Sequence, residues 1–541
     1  MKKLLVLVST LAAVLAGAVA LPAQAQPAPR AKAPAFTPRP LTFGTCANPA
    51  LTANKIECGT LVVPLDYAKP KGATIKLAVS RLKHRSSAAD YQGIMLTNPG
   101  GPGGSGLSLS VLGRGDIVPG TGDDDYDWIG FDPRGVGSST PSLSCDPDFT
   151  GYDRPNYVPT TRALEKVWLK KSERYATACK YADGARLLNH VKTTDSVKDM
   201  ESIRKALGQE RMNFYGFSYG TYLAQVYATQ HPTRVRRFVM DGNVDPTRVW
   251  YRSNLDQDLA FEKTIQVWFD WVGDHDDVYG LGDSGAEVRA AYEDQLEKLD
   301  AQPAQGKLGP DELNDVLLSA GYYVFDWDVL GHALSDLVNR GDATALLAQY
   351  PVPGGEGADN GTAMYLATVC TDAPWPESFA RIRLDNWRTY AEAPFETWAN
   401  AWFNGPCLTW PGKASTPVKV SGSKVDSRIL LVSETLDAAT PYSGSLKVRS
   451  LFPSASLIEG VGGTTHAGSL NGVACVDDAI GAYLKTGAVP ARVSGSRSDL
   501  QCDPVPAPTP TPAAGAPSAK LAPATSGDAL VRQALQDAQL R

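Results

Sequence analysis

Met212-Asn213-Phe214-Tyr215-Gly216-Phe217-Ser218-Tyr219-Gly220-Thr221-Tyr222-Leu223-Ala224-Gln225-Val226 reads as a short strand, a tight turn and the start of a helix with nothing between them. The turn carries the pattern Gly-x-Ser-x-Gly. A chain reversing this sharply crowds the positions flanking the serine, which explains the glycines, and leaves the serine at the tip with its Oγ exposed. Alone the pattern is weak evidence; set between a strand and a helix it marks Ser218 as a nucleophile.

Working outward from the turn, short β-branched runs recur at 60–63, 74–79, 94–97, 128–131, 212–215, 238–240, 429–432 and 456–458. Helical stretches alternate with them, as at 196–207, where Val197, Met200, Ile203 and Leu207 fall on one face. Alternation of this kind predicts an α/β chain with a mostly parallel eight-stranded sheet and helices on both faces. With the serine turn leading from strand to helix, this is the layout of the α/β-hydrolase fold. Residues 41–246 and 421–502 supply this core. The intervening 247–420 is too long for an ordinary crossover, is helix-rich and holds most of the tryptophans, so it is expected to be a cap. Most of those aromatics should form the cap's own core, and only a few should line a pocket.

A serine hydroxyl needs an imidazole to take its proton and a carboxylate to orient that imidazole, in the chain order Ser, acid, His. Of the histidines after Ser218 (His231, His275, His332 and His466), only His466 lies beyond the last strand. Its loop, Gly462-Gly463-Thr464-Thr465-His466-Ala467-Gly468, is built of small residues suited to close approach. The acid is expected after the penultimate strand, where Asp437 is the first choice and Glu434 the alternative; Asp241, ending the strand at 238–240, is a weaker rival. Acyl transfer also requires two backbone donors for an oxyanion. Tyr219, after the serine, supplies one. Gly101 in Asn98-Pro99-Gly100-Gly101-Pro102-Gly103-Gly104-Ser105-Gly106 supplies the other, since Pro102 has no N–H. A phosphate-cradling role for this loop lacks the Lys-Ser/Thr that should follow.

The ends differ from the middle. Met1-Lys2-Lys3, an apolar run to Leu21 and Ala23-Gln24-Ala25 read as an export signal over residues 1–25 cleaved after Ala25, so a secreted protein, extracellular or periplasmic, is expected. A Pro/Ala-rich leader follows at 26–40, and residues 503–541 read as a Pro/Ala-rich disordered tail, in which Leu530, Val531, Leu535 and Leu540 among polar residues could at most make one short helix without chemistry of its own. A net charge of −6, with both signs mixed along the chain, points to no nucleic-acid partner and no membrane partner after signal cleavage. Eight cysteines in an exported chain favour disulfides, and pairing successive ones closes the shortest loops. No Cys-x-x-C occurs and the six histidines are scattered, so neither a metal nor another cofactor is expected.

Taken together, the Asn98–Gly106 run quoted above, Asp132-Pro133-Arg134-Gly135-Val136-Gly137, the Ser218 turn and Asp437-Ala438-Ala439-Thr440-Pro441 resemble those of secreted tripeptidyl aminopeptidases, relatives of the prolyl iminopeptidases. The resemblance runs from about residue 42 to 502 and maps serine, acid and base onto Ser218, Asp437 and His466. Where such relatives often show Gly-His-Gly, this chain has Thr465-His466-Ala467. The resemblance implies an exopeptidase acting on peptides with a free N-terminus. A cationic amine calls for carboxylates on the cap, and Asp372 and Glu377 in Cys370-Thr371-Asp372-Ala373-Pro374-Trp375-Pro376-Glu377 are the candidates. A carboxylesterase or amidase using the same triad is the alternative, separated by whether acylating the substrate amine abolishes turnover. A catalytically dead binding module on this fold is disfavoured, because all three triad positions are occupied.

Overall fold

The computed structural model describes residues 36–152, 154–350, 357–512 and 527–537. Within them lies one sheet of ten strands: β1 Phe43–Thr45, β2 Glu57–Pro64, β3 Thr74–Leu82, β4 Ile94–Asn98, β5 Asp127–Phe131, β6 Met212–Phe217, β7 Val235–Asp241, β8 Ile429–Glu434, β9 Ala455–Gly460 and β10 Leu500–Cys502. Their order is β1-β2-β3-β5-β4-β6-β7-β8-β9-β10. The pairings from β5 to β10 are parallel, and those joining β1, β2, β3 and β5 are antiparallel. All eight expected strands are present. β1 and β10 are additional edge strands, at three residues each too short for a hydrophobic period to register in sequence.

Successive side chains of the central strands enter opposite cores. In β6, Met212 and Phe214 join the core beneath the helices Thr193–Ala206 and Tyr219–Gln230. Tyr215 and Phe217 join the one beneath Ala474–Thr486 and the 3₁₀ segment Leu107–Arg114. β8 does the same with Ile429 and Leu431 against Leu430 and Val432. Burial on both faces is why these strands read as unbroken apolar runs rather than alternating ones.

Between β7 and β8 the chain is helical. Tyr251–Gly273, Gly285–Ala301, Pro310–Tyr322 and Trp327–Arg340 share a separate core that includes Phe261, Ile265, Trp268, Leu317 and Trp327. Trp398 and Trp402 stack with Trp168 and Tyr157 in a smaller cluster. Buried Arg154 pairs with Glu312 at 3.1 Å and Asp315 at 2.8 Å, fastening the segment after β5 to these helices. The cysteines pair successively: Cys46–Cys58, Cys145–Cys179, Cys370–Cys407 and Cys475–Cys502.

The signal segment 1–25 and the leader as far as residue 35 lie outside the described residues; Phe36 packs edge-on against Tyr67. Of the tail expected to be disordered, residues 503–512 and 527–537 are described and both pack on the fold, the second as the short helix. The Val505 N–H donates to Glu434 Oε1 at 2.7 Å, and the N–H and hydroxyl of Thr511 donate to Asp328. A helix, Gly527–Asp537, then buries Val531, Ala534 and Leu535. An extended Pro-rich chain keeps every non-proline N–H free to bond a neighbour, and apolar residues at i, i+3 and i+4 make a helix once a partner surface exists; composition conveys neither partner. No helix among the described residues is long and apolar enough to cross a membrane.

Candidate active site

Ser218 follows β6 with φ 55° and ψ −125°, a left-handed backbone unusual for a residue with a side chain. Its N–H is tied to the Asp241 carbonyl at 2.9 Å. The flanking glycines are required by contact. A Cβ on Gly216 would lie 2.3 Å from Phe214 Cε1, and one on Gly220 would lie 2.7 Å from the Asn98 carbonyl. Tyr219 is the first residue of its helix, so its N–H has no partner within the helix.

The glycine loop after β4 lies directly against this turn: a Cβ on Gly100 would sit 2.7 Å from Ser218 Cβ and 3.1 Å from Tyr219 N. Asp132, from the Asp-Pro-Arg-Gly motif, holds the loop's far end. It accepts from Ser105 Oγ at 2.6 Å and from the Gly106 and Ser138 N–H groups. Burial raises its carboxyl to about 6 against the pull of these bonds. Arg134 of the same motif makes a buried two-pronged pair with Asp199, each contact 2.7 Å.

His466 Nδ1 faces both oxygens of Asp437, at 2.9 and 3.0 Å. Thr440 clamps the carboxylate, its N–H on Oδ1 at 2.9 Å and its hydroxyl on Oδ2 at 2.7 Å. Burial opposes charge on the imidazole, but the Asp437 carboxylate and its hydrogen bond, with Asp241 behind, prevail and raise the His466 pKa above 6.5. Gly242 packs on this ring, where a Cβ would lie 2.9 Å from Cε1.

The two rival acids lie close by in other roles. Asp241 accepts the Ser469 N–H at 2.8 Å, and burial lifts its carboxyl to about 6. Glu434 accepts the Thr465 and Val505 N–H groups, one on each oxygen, and burial lifts it to about 8. The Thr465 bond braces the loop that carries His466.

Ser218, His466 and Gly101 line one cavity with Gln257, Phe261, Tyr322, Tyr365, Glu396, Asn400 and others. A second cavity shares Ser218 and Gly101 and extends toward Tyr219, Trp250, Asp245 and Asp256.

The two cap acids expected at a substrate amine are elsewhere. Buried Asp372 accepts the Thr193 N–H at 2.7 Å and the Thr193 hydroxyl at 2.5 Å, satisfying the start of the helix Thr193–Ala206, and neither cavity includes it. Glu377 is solvent-exposed. Both stand near each other in the chain, but direction toward the serine is set by the packing of the helix Asn360–Asp372, which residue type does not encode. Glu396, a buried carboxylate on the cavity wall at the start of Thr397–Phe403, was not singled out by any motif.

Residues 93–278 match the alpha/beta hydrolase fold family, and residues 393–523 match the TAP-like protein family. A tripeptidyl aminopeptidase of Streptomyces coelicolor is 40% identical over 83% of this chain and 83% of its own. The chain belongs to the tripeptidyl aminopeptidase family. Serine protease Hip1 of Mycobacterium tuberculosis is 30% identical, over 80% of this chain and 86% of its own. Carboxylesterase B of the same organism is also 30% identical, over 83% and 86%. In this member of the family, Gly101 and Ser218 fall within the first matched region of the chain, and Glu396, Asp437 and His466 within the second.

Proposed function

We propose that the chain is an exported serine aminopeptidase that releases short peptides from free N-termini through an acyl-enzyme on Ser218. The observation that carries the reading is the Asp437–His466 pair at 2.9 Å opening onto the same cavity as an elbow serine with φ 55°. Ser218 Oγ attacks the scissile carbonyl carbon as His466 Nε2 takes its proton. The tetrahedral oxyanion accepts from the Tyr219 and Gly101 N–H groups. Collapse breaks the C–N bond and the leaving amine takes the proton from His466. Water, deprotonated by His466, then attacks the ester carbon, the bond to Ser218 Oγ breaks, and Oγ takes the proton back from His466 as the peptide leaves as a carboxylate.

Glu396 replaces Asp372 and Glu377 as the proposed partner of the substrate ammonium. It is a buried carboxylate on the serine's cavity wall, where it could pair with an amine at a fixed distance from the scissile bond. A release of three residues is supported by the name of the 40%-identical Streptomyces relative. Export is supported by the basic start and apolar run of residues 1–21 and by four disulfides, which persist in oxidising compartments. N-terminal sequencing of the mature protein is expected to begin at Gln26.

The test is hydrolysis of mono-, di- and tripeptide chromogenic amides, each with free and acetylated N-terminus, beside a short-chain ester. Free-amine peptides should be cleaved and acetylated ones spared, and Ser218→Ala should lower kcat by about 10⁶-fold. Glu396→Gln should raise KM for free-amine substrates by about 10- to 100-fold, the worth of a hydrogen bond to a charged group. The Mycobacterium carboxylesterase relative favours one rival, an esterase, which would turn over the ester and ignore the amine.

A further inference from the structure

The cavity around Ser218 and His466 is not walled by the sheet and the helices between β7 and β8 alone. Leu535, from the C-terminal helix Gly527–Asp537, also lines it. Val531, Ala534 and Leu535 form the buried face of that helix and share a core with Leu109, Leu112 and Tyr323. An isolated helix of this length is unstable in water, so its position depends on docking.

The docking contacts converge on one short segment. The Tyr323 hydroxyl donates to the Leu535 carbonyl at 3.3 Å, and Gln536 Nε2 donates to Asp326 Oδ1 at 3.3 Å. The Arg532 guanidinium lies 5.0 Å above the Phe325 ring. Residues 323–326 directly follow Tyr322, whose carbonyl accepts the His466 N–H at 2.8 Å. The helix therefore meets the cavity beside the imidazole. It also lies beyond residue 523, where the TAP-like match ends.

We propose that the C-terminal helix is a specificity-determining wall of the peptide cavity, with Leu535 limiting the size of the substrate residue that fits against it. The inference rests on the peptidase reading above. Leucine at this position contributes bulk and no hydrogen bond, so it selects by volume.

The test uses the full chain with Leu535→Ala, Leu535→Trp and Ala534→Asp, the last placing a charge on the docked face to release the helix. Free-amine peptide amides graded from alanine-only to phenylalanine- and tryptophan-containing sequences are compared by kcat/KM. Leu535→Trp should depress the bulkiest peptides by about tenfold or more relative to the alanine series, the usual scale of apolar size discrimination. Leu535→Ala and Ala534→Asp should shift the same ratio the opposite way. Thermal melting checks that each variant is folded. If folded variants keep the wild-type ratio, or move every substrate by one common factor, Leu535 does not meet the substrate and the wall is overturned. A wild type that cleaves no free-amine peptide overturns the peptidase reading instead, before any variant is compared.

Discussion

Tyr322 holds His466 twice: its carbonyl accepts the histidine's backbone N–H at 2.8 Å, and its ring meets the imidazole edge-on with centroids 5.7 Å apart. Tyr322 ends the helix Pro310–Tyr322, so the helical insertion and the loop carrying the base are a single unit at this point. Tyr322→Leu keeps the backbone bond and removes the ring. The expected result is a fall in kcat approaching 10²-fold, the penalty for a base displaced by about an ångström, with a smaller change in KM. Wild-type kcat in a folded Tyr322→Leu protein would mean that the ring does not position the imidazole.

The acid limb of the pH profile follows from the same ring. His466 must be neutral to accept a proton, and the Asp437 and Asp241 carboxylates raise its pKa above 6.5. The kcat/KM profile should therefore fall on acidification with an apparent pKa alkaline of 6.5. Removing one supporting charge with Asp241→Asn should move that limb to lower pH while activity at its plateau persists. Asp437→Asn should instead lower kcat by about 10⁴-fold, because the imidazole loses both its charge partner and its fixed tautomer. A limb unmoved by Asp241→Asn would exclude electrostatic coupling between that carboxylate and the base.

Glu434 makes stability depend on pH in the alkaline direction. Its folded pKa of about 8 exceeds the ordinary 4.5, so between these values the folded state binds more protons than the unfolded one. Its contribution is fully present below pH 4.5 and is lost as pH rises through 8. Glu434→Gln has no proton to lose. It also turns an amide N–H toward one of two backbone donors, which should cost about 1–3 kcal/mol at pH 5. The wild type's advantage over the variant, measured by denaturant melts from pH 5 to 9, should shrink as pH rises, reverse in sign before pH 8 and level off above it. A gap that is constant with pH would show that Glu434 titrates near its ordinary value.

Much of this site is legible in the sequence because its constraints are local. Gly216 and Gly220 around Ser218 and Gly100, Gly101, Gly103 and Gly106 in the 98–106 loop answer to contacts in which an added Cβ would meet another atom under 3 Å away, and such contacts leave a motif. His466 is reached by chain order. The choice among Asp437, Glu434 and Asp241 is less accessible: all three are buried close together, and only the 2.9 Å approach to Nδ1 distinguishes Asp437. Glu396 is illegible, and for Leu535 the sequence suggests a short helix but not its place at the cavity, since each reaches the serine through tertiary packing. The same holds for Asp372, which looks like a binding acid in sequence and bonds Thr193, 179 residues away.

That pairing supports the final prediction. The Thr193 hydroxyl that meets Asp372 at 2.5 Å also meets the Tyr219 hydroxyl at 2.7 Å, so the carboxylate braces the residue whose N–H faces the proposed oxyanion. Asp372→Asn removes one acceptor from this chain and leaves the cavity walls intact. Stability should drop by about 1–2 kcal/mol and kcat should decline, because Tyr219 is less firmly held. KM for free-amine peptides, and the preference for free over acetylated ends, should stay as in wild type. A rise in KM confined to free-amine substrates would return Asp372 to the amine site, and would mean that the helix start it now satisfies had rearranged around the bound peptide.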